Sequence, residues 1–199
     1  VKNLFYKNKE VVPMELKELI KTRRTVHEFS DKVVSDSEVM TALEMALWAP
    51  NHKNTHPWIF FVIGPKTREK LIQLAIDLKG SDGKQLPETK IEKIKSKLGR
   101  CSHMVAMAMN KSDDAFREKE DYATLACGIQ NLSLYLHNQN IGSKWSTGKF
   151  TRHPKTYEIL ELNSDKIEIV GVLLIGHSLR GNLSPPQRPN LQDTIIQYP

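Results

Sequence analysis

The stretch from Tyr122 to Leu136 constrains this chain most. Tyr122, Leu125, Ala126, Ile129, Leu132, Ser133 and Leu136 hold a helical period over four turns. Ala123, Ala126 and Gly128 are small enough to admit a close neighbour. The segment reads as a long central helix, ended by Gly142. Short apolar runs of strand character stand apart from it: Trp58 to Ile63, closed by Gly64-Pro65, then His103 to Met109, and Glu168 to Gly176; the more polar Ser143 to Thr147 reads as a further short strand. Helical segments separate them. Leu16, Leu19 and Ile20 follow a Pro13 placed to open a helix. Ser35 with Glu38 forms a capping-box pattern ahead of Val39, Leu43, Ala46 and Leu47, and Pro50 stops that helix. Residues 66–78, a stretch opened by Pro87, and Pro154 to Leu162 read as further helices, with a Gly/Ser/Asp loop at 80–83. Strands separated by helices imply a layered domain of both types and leave parallel or antiparallel pairing open. At 199 residues the chain is expected to be a single domain, 1–199, with a core that needs no staples.

Composition excludes several classes. Hydrophobic residues are 39% and charged residues 26%, the balance of a globular protein in water. No apolar run approaches the ~20 residues of a membrane span. The first residues, Val1 to Lys7, lack an apolar core with a small-residue cleavage site, so no signal peptide is expected. The only cysteines, Cys101 and Cys127, lack metal-ligand spacing, which fits a reducing, cytoplasmic compartment. Cys127 reads as a core residue of the long helix rather than a nucleophile. The net charge is +6. Lys84, Lys90, Lys93, Lys95, Lys97 and Arg100 concentrate part of it, against only Glu88 and Glu92. No aromatic side chain that could stack on bases accompanies them, which weakens a nucleic-acid reading.

Three stretches carry chemistry. Arg23-Arg24-Thr25 offers two guanidinium forks and a hydroxyl, suited to a phosphate, although arginines also favour a solvated helix end. Ala49 to Trp58 holds six successive hydrogen-bonding side chains between two prolines, suited to a polar planar ligand or to an ordinary turn. His52 and His56 have zinc-pair spacing, but the flanking prolines argue against a helix there. Gly142 to Gly148 places hydroxyls between glycines, which lets backbone approach a flat ligand. No Walker loop, Gly-x-Gly-x-x-Gly or Gly-x-Ser-x-Gly pattern is present.

In order and spacing these blocks resemble the FMN-dependent nitroreductase family, in its small, compact branch. Arg23-Arg24-Thr25-Val26-His27-Glu28-Phe29 is similar to the family's Arg-Arg-Ser/Thr-x-x-x-Phe. Ala49 to Phe60 is similar to Ala-Pro-Ser-x-x-Asn-x-Gln-Pro-Trp-x-Phe. Gly142 through Trp145 to Gly148, and Gly171 to Gly176 followed by Pro186-Gln187-Arg188, complete the pattern. The resemblance implies an α+β fold with a central mixed or antiparallel sheet flanked by helices. It implies an intertwined homodimer whose C-terminal arm, residues 180–199, wraps the partner. It also implies FMN as cofactor at the dimer interface. Arg23, Arg24, Thr25 and Arg188 would hold its phosphate and ribityl chain. His52 and Asn54 would reach it from the other subunit, and Trp145, Ser146, Thr147 and Gly148 would line the ring.

Asn51 stands where the family has Ser, and His56 where it has Gln. The implied activity is ping-pong transfer of hydride from NADH or NADPH through the flavin N5 to a nitroaromatic, a quinone or a similar small acceptor, with no catalytic side chain and no metal. The family also includes dehalogenases and a flavin-fragmenting enzyme. The rival readings are a flavin-binding member without general reductase activity and a basic nucleic-acid-binding protein.

Overall fold

The computed structural model describes residues 15–80, 86–181 and 184–198. Pro13, Lys84 and part of the 80–83 loop lie outside them. Among the described residues six α-helices and four strands follow one another in the order α1 (Leu16–Thr22), α2 (Asp36–Ala46), β1 (Trp58–Val62), α3 (Pro65–Gly80), α4 (Glu88–Gly99), β2 (His103–Asn110), α5 (Ala115–Asn138), β3 (Gly142–Ser146), α6 (Pro154–Ile159) and β4 (Ile167–Gly176). The strands form one sheet in the order β1-β2-β4-β3, and every neighbouring pair is antiparallel. The fold is therefore α+β. The pairing that the order of elements left open is settled by β2 and β4, which run side by side for most of their length.

Strand alternation divides the sheet between two layers of helix. Val105, Met107 and Met109 join Val39, Leu43, Leu125, Ile129, Leu132 and Leu136, the core beneath α2 and α5. Met104 and Ala106 join Leu71, Leu74, Ile94, Leu98, Val172 and Leu174, the core beneath α3 and α4. The register slips between Met107 and Ala108, so Val170 is an extra residue on β4.

The capping box of α2 forms as its sequence predicts. Glu38 N donates to Ser35 Oγ at 3.3 Å, and Ser35 N donates to Glu38 Oε2 at 3.0 Å. Helix α5 begins seven residues before Tyr122, because Asp114 Oδ1 accepts from Phe116 N at 2.9 Å and Arg117 N at 3.3 Å. It ends at Asn138 rather than Gly142. Asn140 turns the chain with φ 58°, and Gly142 opens β3. A Cβ at Gly142 would come within 2.4 Å of Val26 Cγ2, so close packing explains this glycine, not helix termination. Gly128 does serve the close approach expected of it: a Cβ there would meet Ala46 O of α2 at 2.8 Å.

Cys127 is exposed rather than in the core, because it lies on the side of α5 turned away from the sheet. Tyr122 is exposed on the same helix. Residues 184–198 are exposed throughout and form only one 3-10 turn, Leu191–Thr194.

Candidate functional site

The segment after α1 runs beside the edge of the sheet. Thr25 bridges Ser143 in parallel, and Val26 N donates to Ser143 O at 3.1 Å. This lays Arg23-Arg24-Thr25 directly against β3, which carries Trp145 and Ser146. Arg23 is half-buried. Its pKa is lowered first by burial and then by the charges of Arg24 and Arg188. Arg188 thus returns to the same place from the far end of the chain. Arg24 bridges the two segments, with Nη1 donating to Arg23 O at 2.6 Å and Nε to Ser184 O at 3.4 Å.

His137, in the last turn of α5, hydrogen-bonds Thr22 Oγ1 at 3.1 Å. Burial and then the charges of Arg23 and Arg24 hold its pKa below the usual histidine value. Among the described residues no carboxylate forms an ion pair with any of the three arginines. Like charges drawn together with one of them half-buried are unfavourable unless an anion offsets them.

A second group of cations lies two residues further on. Lys144 of β3 is 8% exposed, and its Nζ is 2.9 Å from His27 Nδ1. Burial, then the charge and contact of Lys97 on α4, push its pKa down to about 8. The His27 pKa is lowered by burial and by Lys144 and Lys97; because an ammonium can only donate, Nδ1 is the acceptor when Lys144 is charged. Glu28, the acid beside it, is taken up by Arg180, whose Nε and Nη2 reach its carboxylate at 2.7 and 2.8 Å. Sequence reading missed this group. Lys97 is one of several lysines on α4 and reads as solvated, and nothing in the sequence pairs it with Lys144 or His27.

Trp145 lies across the sheet from β3, over Gly171 of β4. A Cβ there would come within 2.3 Å of the indole Nε1. That nitrogen is buried with no hydrogen-bond partner, and the ring centroid is 6.5 Å from that of Tyr122. Ser146 is buried, while Thr147 and Gly148 are exposed in the turn that follows.

His52 and Asn54 are not brought to this place. They lie in a 3-10 turn, His52–Asn54, at the opposite end of α5. His52 Nε2 is 3.9 Å from Glu120. From Glu120 to His137 the helix advances about 25 Å. In one chain Arg23, Arg24 and Arg188 thus stand near the His137 end of α5 and His52 with Asn54 near the Glu120 end. β3 runs between them, from Ser143 beside Thr25 to Trp145 beside Tyr122, with Ser146, Thr147 and Gly148 following.

Residues 20–177 match the family model described as "Nitroreductase family". The chain belongs to the nitroreductase family. Among relatives of this nitroreductase-family chain, the Bacillus subtilis protein named "Putative NAD(P)H nitroreductase YfhC" is 26% identical over 152 residues, 76% of this chain and 78% of that one. A solved nitroreductase-like family protein from Bacillus cereus superposes with a TM-score of 0.81 at 24% identity, covering 94% of this chain and 97% of the other. The FMN and NADPH-dependent nitroreductase NfnB from Sphigopyxis sp. strain HMH gives 0.76 at 16% identity, over 94% and 100%. The two structural likenesses concern the nitroreductase fold. No described helix is long and apolar enough to cross a membrane.

Proposed function

We propose that this chain is a cytoplasmic FMN-dependent NAD(P)H oxidoreductase that reduces nitroaromatic, quinone or similar electron-poor acceptors in a homodimer. The observation that carries the reading is the convergence of Arg23, Arg24 and Arg188 without a carboxylate, beside Thr25 and β3. A phosphate monoester fits this cluster, since guanidinium forks match its oxygens and its charge relieves their mutual repulsion. Family membership and the NAD(P)H nitroreductase name of a relative support the same activity.

In this reading Arg23, Arg24 and Arg188 hold the phosphate, and Thr25 meets the ribityl chain. Trp145, Ser146, Thr147 and Gly148 border the ring. The His27, Lys97 and Lys144 group suits the pyrimidine end of a flavin, where negative charge gathers on reduction. His52 and Asn54 come from a second copy, because the 25 Å along α5 that separates them from Arg23 is longer than one FMN. The 180–199 arm wraps that second copy, which gives Leu191, Ile195 and Ile196 a surface to cover. When bound, FMN supplies a centre that takes hydride from NADH or NADPH and returns electrons to the acceptor in ping-pong turnover. The protein's part is to hold the ring, offset its charge and position each ligand in turn.

Arg23→Ala removes charge-assisted bonds of ~1.5–3 kcal/mol, so FMN should bind about 10- to 100-fold more weakly while riboflavin, which has no phosphate, changes little. His52→Ala should also weaken FMN. A mixed dimer of the two variants regains one full-strength site if the loop acts across subunits. Flavin titration of each species measures this. Unchanged FMN affinity in Arg23→Ala removes the arginines from the site, and no recovery in the mixed dimer places the loop in its own chain's site.

A further inference from the structure

We infer that Asp121 is a positioning residue, which acts through Thr55 and Asn51 to hold the 51–56 loop in the shape that presents His52 and Asn54. The inference rests on the reading of that loop as a flavin contact. The loop has an unusual backbone: Lys53, Asn54 and His56 all have positive φ, at 55°, 50° and 49°. Side chains with a Cβ disfavour this region, and such a run persists only where surroundings fix it.

The surroundings are a chain of hydrogen bonds that ends inside α5. His56 N donates to Asn51 Oδ1 at 2.8 Å, and Asn51 Nδ2 donates to Thr55 Oγ1 at 2.8 Å. The Thr55 hydroxyl donates in turn to Asp121 Oδ1. One turn further along α5, Thr124 Oγ1 donates to Pro50 O at 3.0 Å and fixes the start of the loop. Asp121 is 6% exposed and forms no ion pair among the described residues. A buried carboxylate without a cation is unfavourable unless strong hydrogen bonds hold it. Its donor here is Thr55, a residue of the very loop that needs bracing. Asn51 and Thr55 thus face inward, and the side chains between them, His52, Lys53 and Asn54, are left to solvent. Asn51 is one of the positions where the chain departs from the family pattern, and its amide spans the loop at both of its polar atoms.

The test is FMN titration of apoprotein prepared from wild type, Thr55→Val, Thr55→Ser, Asp121→Ala and the Thr55→Val/Asp121→Ala pair. Thr55→Val keeps the shape of the side chain and removes the donor. It should weaken FMN about tenfold, the double variant should be no weaker than the worse single, and Thr55→Ser should bind like wild type. Circular dichroism confirms that each variant is folded; should Asp121→Ala fail to fold, Thr55→Val against Thr55→Ser decides alone. Riboflavin should lose affinity in parallel with FMN in Thr55→Val, since the loop does not hold the phosphate. Wild-type FMN affinity in Thr55→Val, or equal loss in Thr55→Ser, overturns the inference. A wild type that takes up no FMN overturns the functional reading itself.

Discussion

Lys144 shows what a single residue does here. Its side chain is buried beside His27 and Lys97, with no ion pair to a carboxylate among the described residues, and its pKa falls from the usual 10.5 to about 8. Between those values the folded chain has given up a proton that the unfolded chain keeps, so stability rises with pH across that window. Below about pH 8 both states are protonated, and the whole cost of the buried charge is present. Lys144→Met should therefore raise the melting temperature of the apoprotein at pH 7 and flatten the gain between pH 8 and 10. Thermal melts across that range measure it. A lower melting temperature at pH 7 would mean that the ammonium is a stabilising partner of His27. None of this was legible in the sequence. Lys144 sits within a Gly/Ser/Trp stretch and Lys97 on a lysine-rich helix, and only the sheet brings them together. Arg23, Arg24 and Arg188 were legible because motif order marked them, and the resemblance implied that they meet; the charges of Arg24 and Arg188 do act on Arg23.

At the level of elements, periodicity carried most of the reading. The helical repeat of Leu125, Ile129, Leu132 and Leu136 became the buried face of α5, and the apolar runs became β1, β2 and β4. Periodicity does not encode pairing, so the antiparallel order came from long-range contact. Cys127, expected in the core, is exposed because it stands two residues from both Leu125 and Ile129, on the side of α5 opposite their stripe. The polar loop after Pro50 read as suited either to a polar planar ligand or to an ordinary turn, and Asn51 and Thr55 are engaged within the loop and against α5. Gly171 links two elements: its bare backbone lets the indole of Trp145 lie on β4. Gly171→Ala should lower stability by about 1–3 kcal/mol, since both the indole and Ser146 O stand in the way of a methyl group. It should also shift tryptophan emission and weaken FMN. Unchanged emission would mean that Trp145 does not depend on that contact.

For the whole molecule, the arginines and the His52–Asn54 turn stand at opposite ends of α5, and the proposed homodimer is the reading that brings them to one flavin. The net charge of +6 resolves into groups with different settings. Lys90, Lys93 and Lys95 are exposed on α4, Lys97 turns toward Lys144, and the arginines gather at the other end of the 23–27 segment. The positive charge nearest the proposed flavin is thus local and built, while the surface excess adds at most a general attraction for anionic nucleotides.

FMN is the proposed working redox centre of this nitroreductase-family fold. Anaerobic addition of NADH or NADPH to the FMN-loaded protein, followed by a nitroaromatic or quinone, tests it through the flavin absorption band. The band should bleach on addition of the nicotinamide and return when the acceptor is admitted. A band that stays oxidised with both nicotinamides, or a protein that holds no flavin after incubation with FMN, would contradict it.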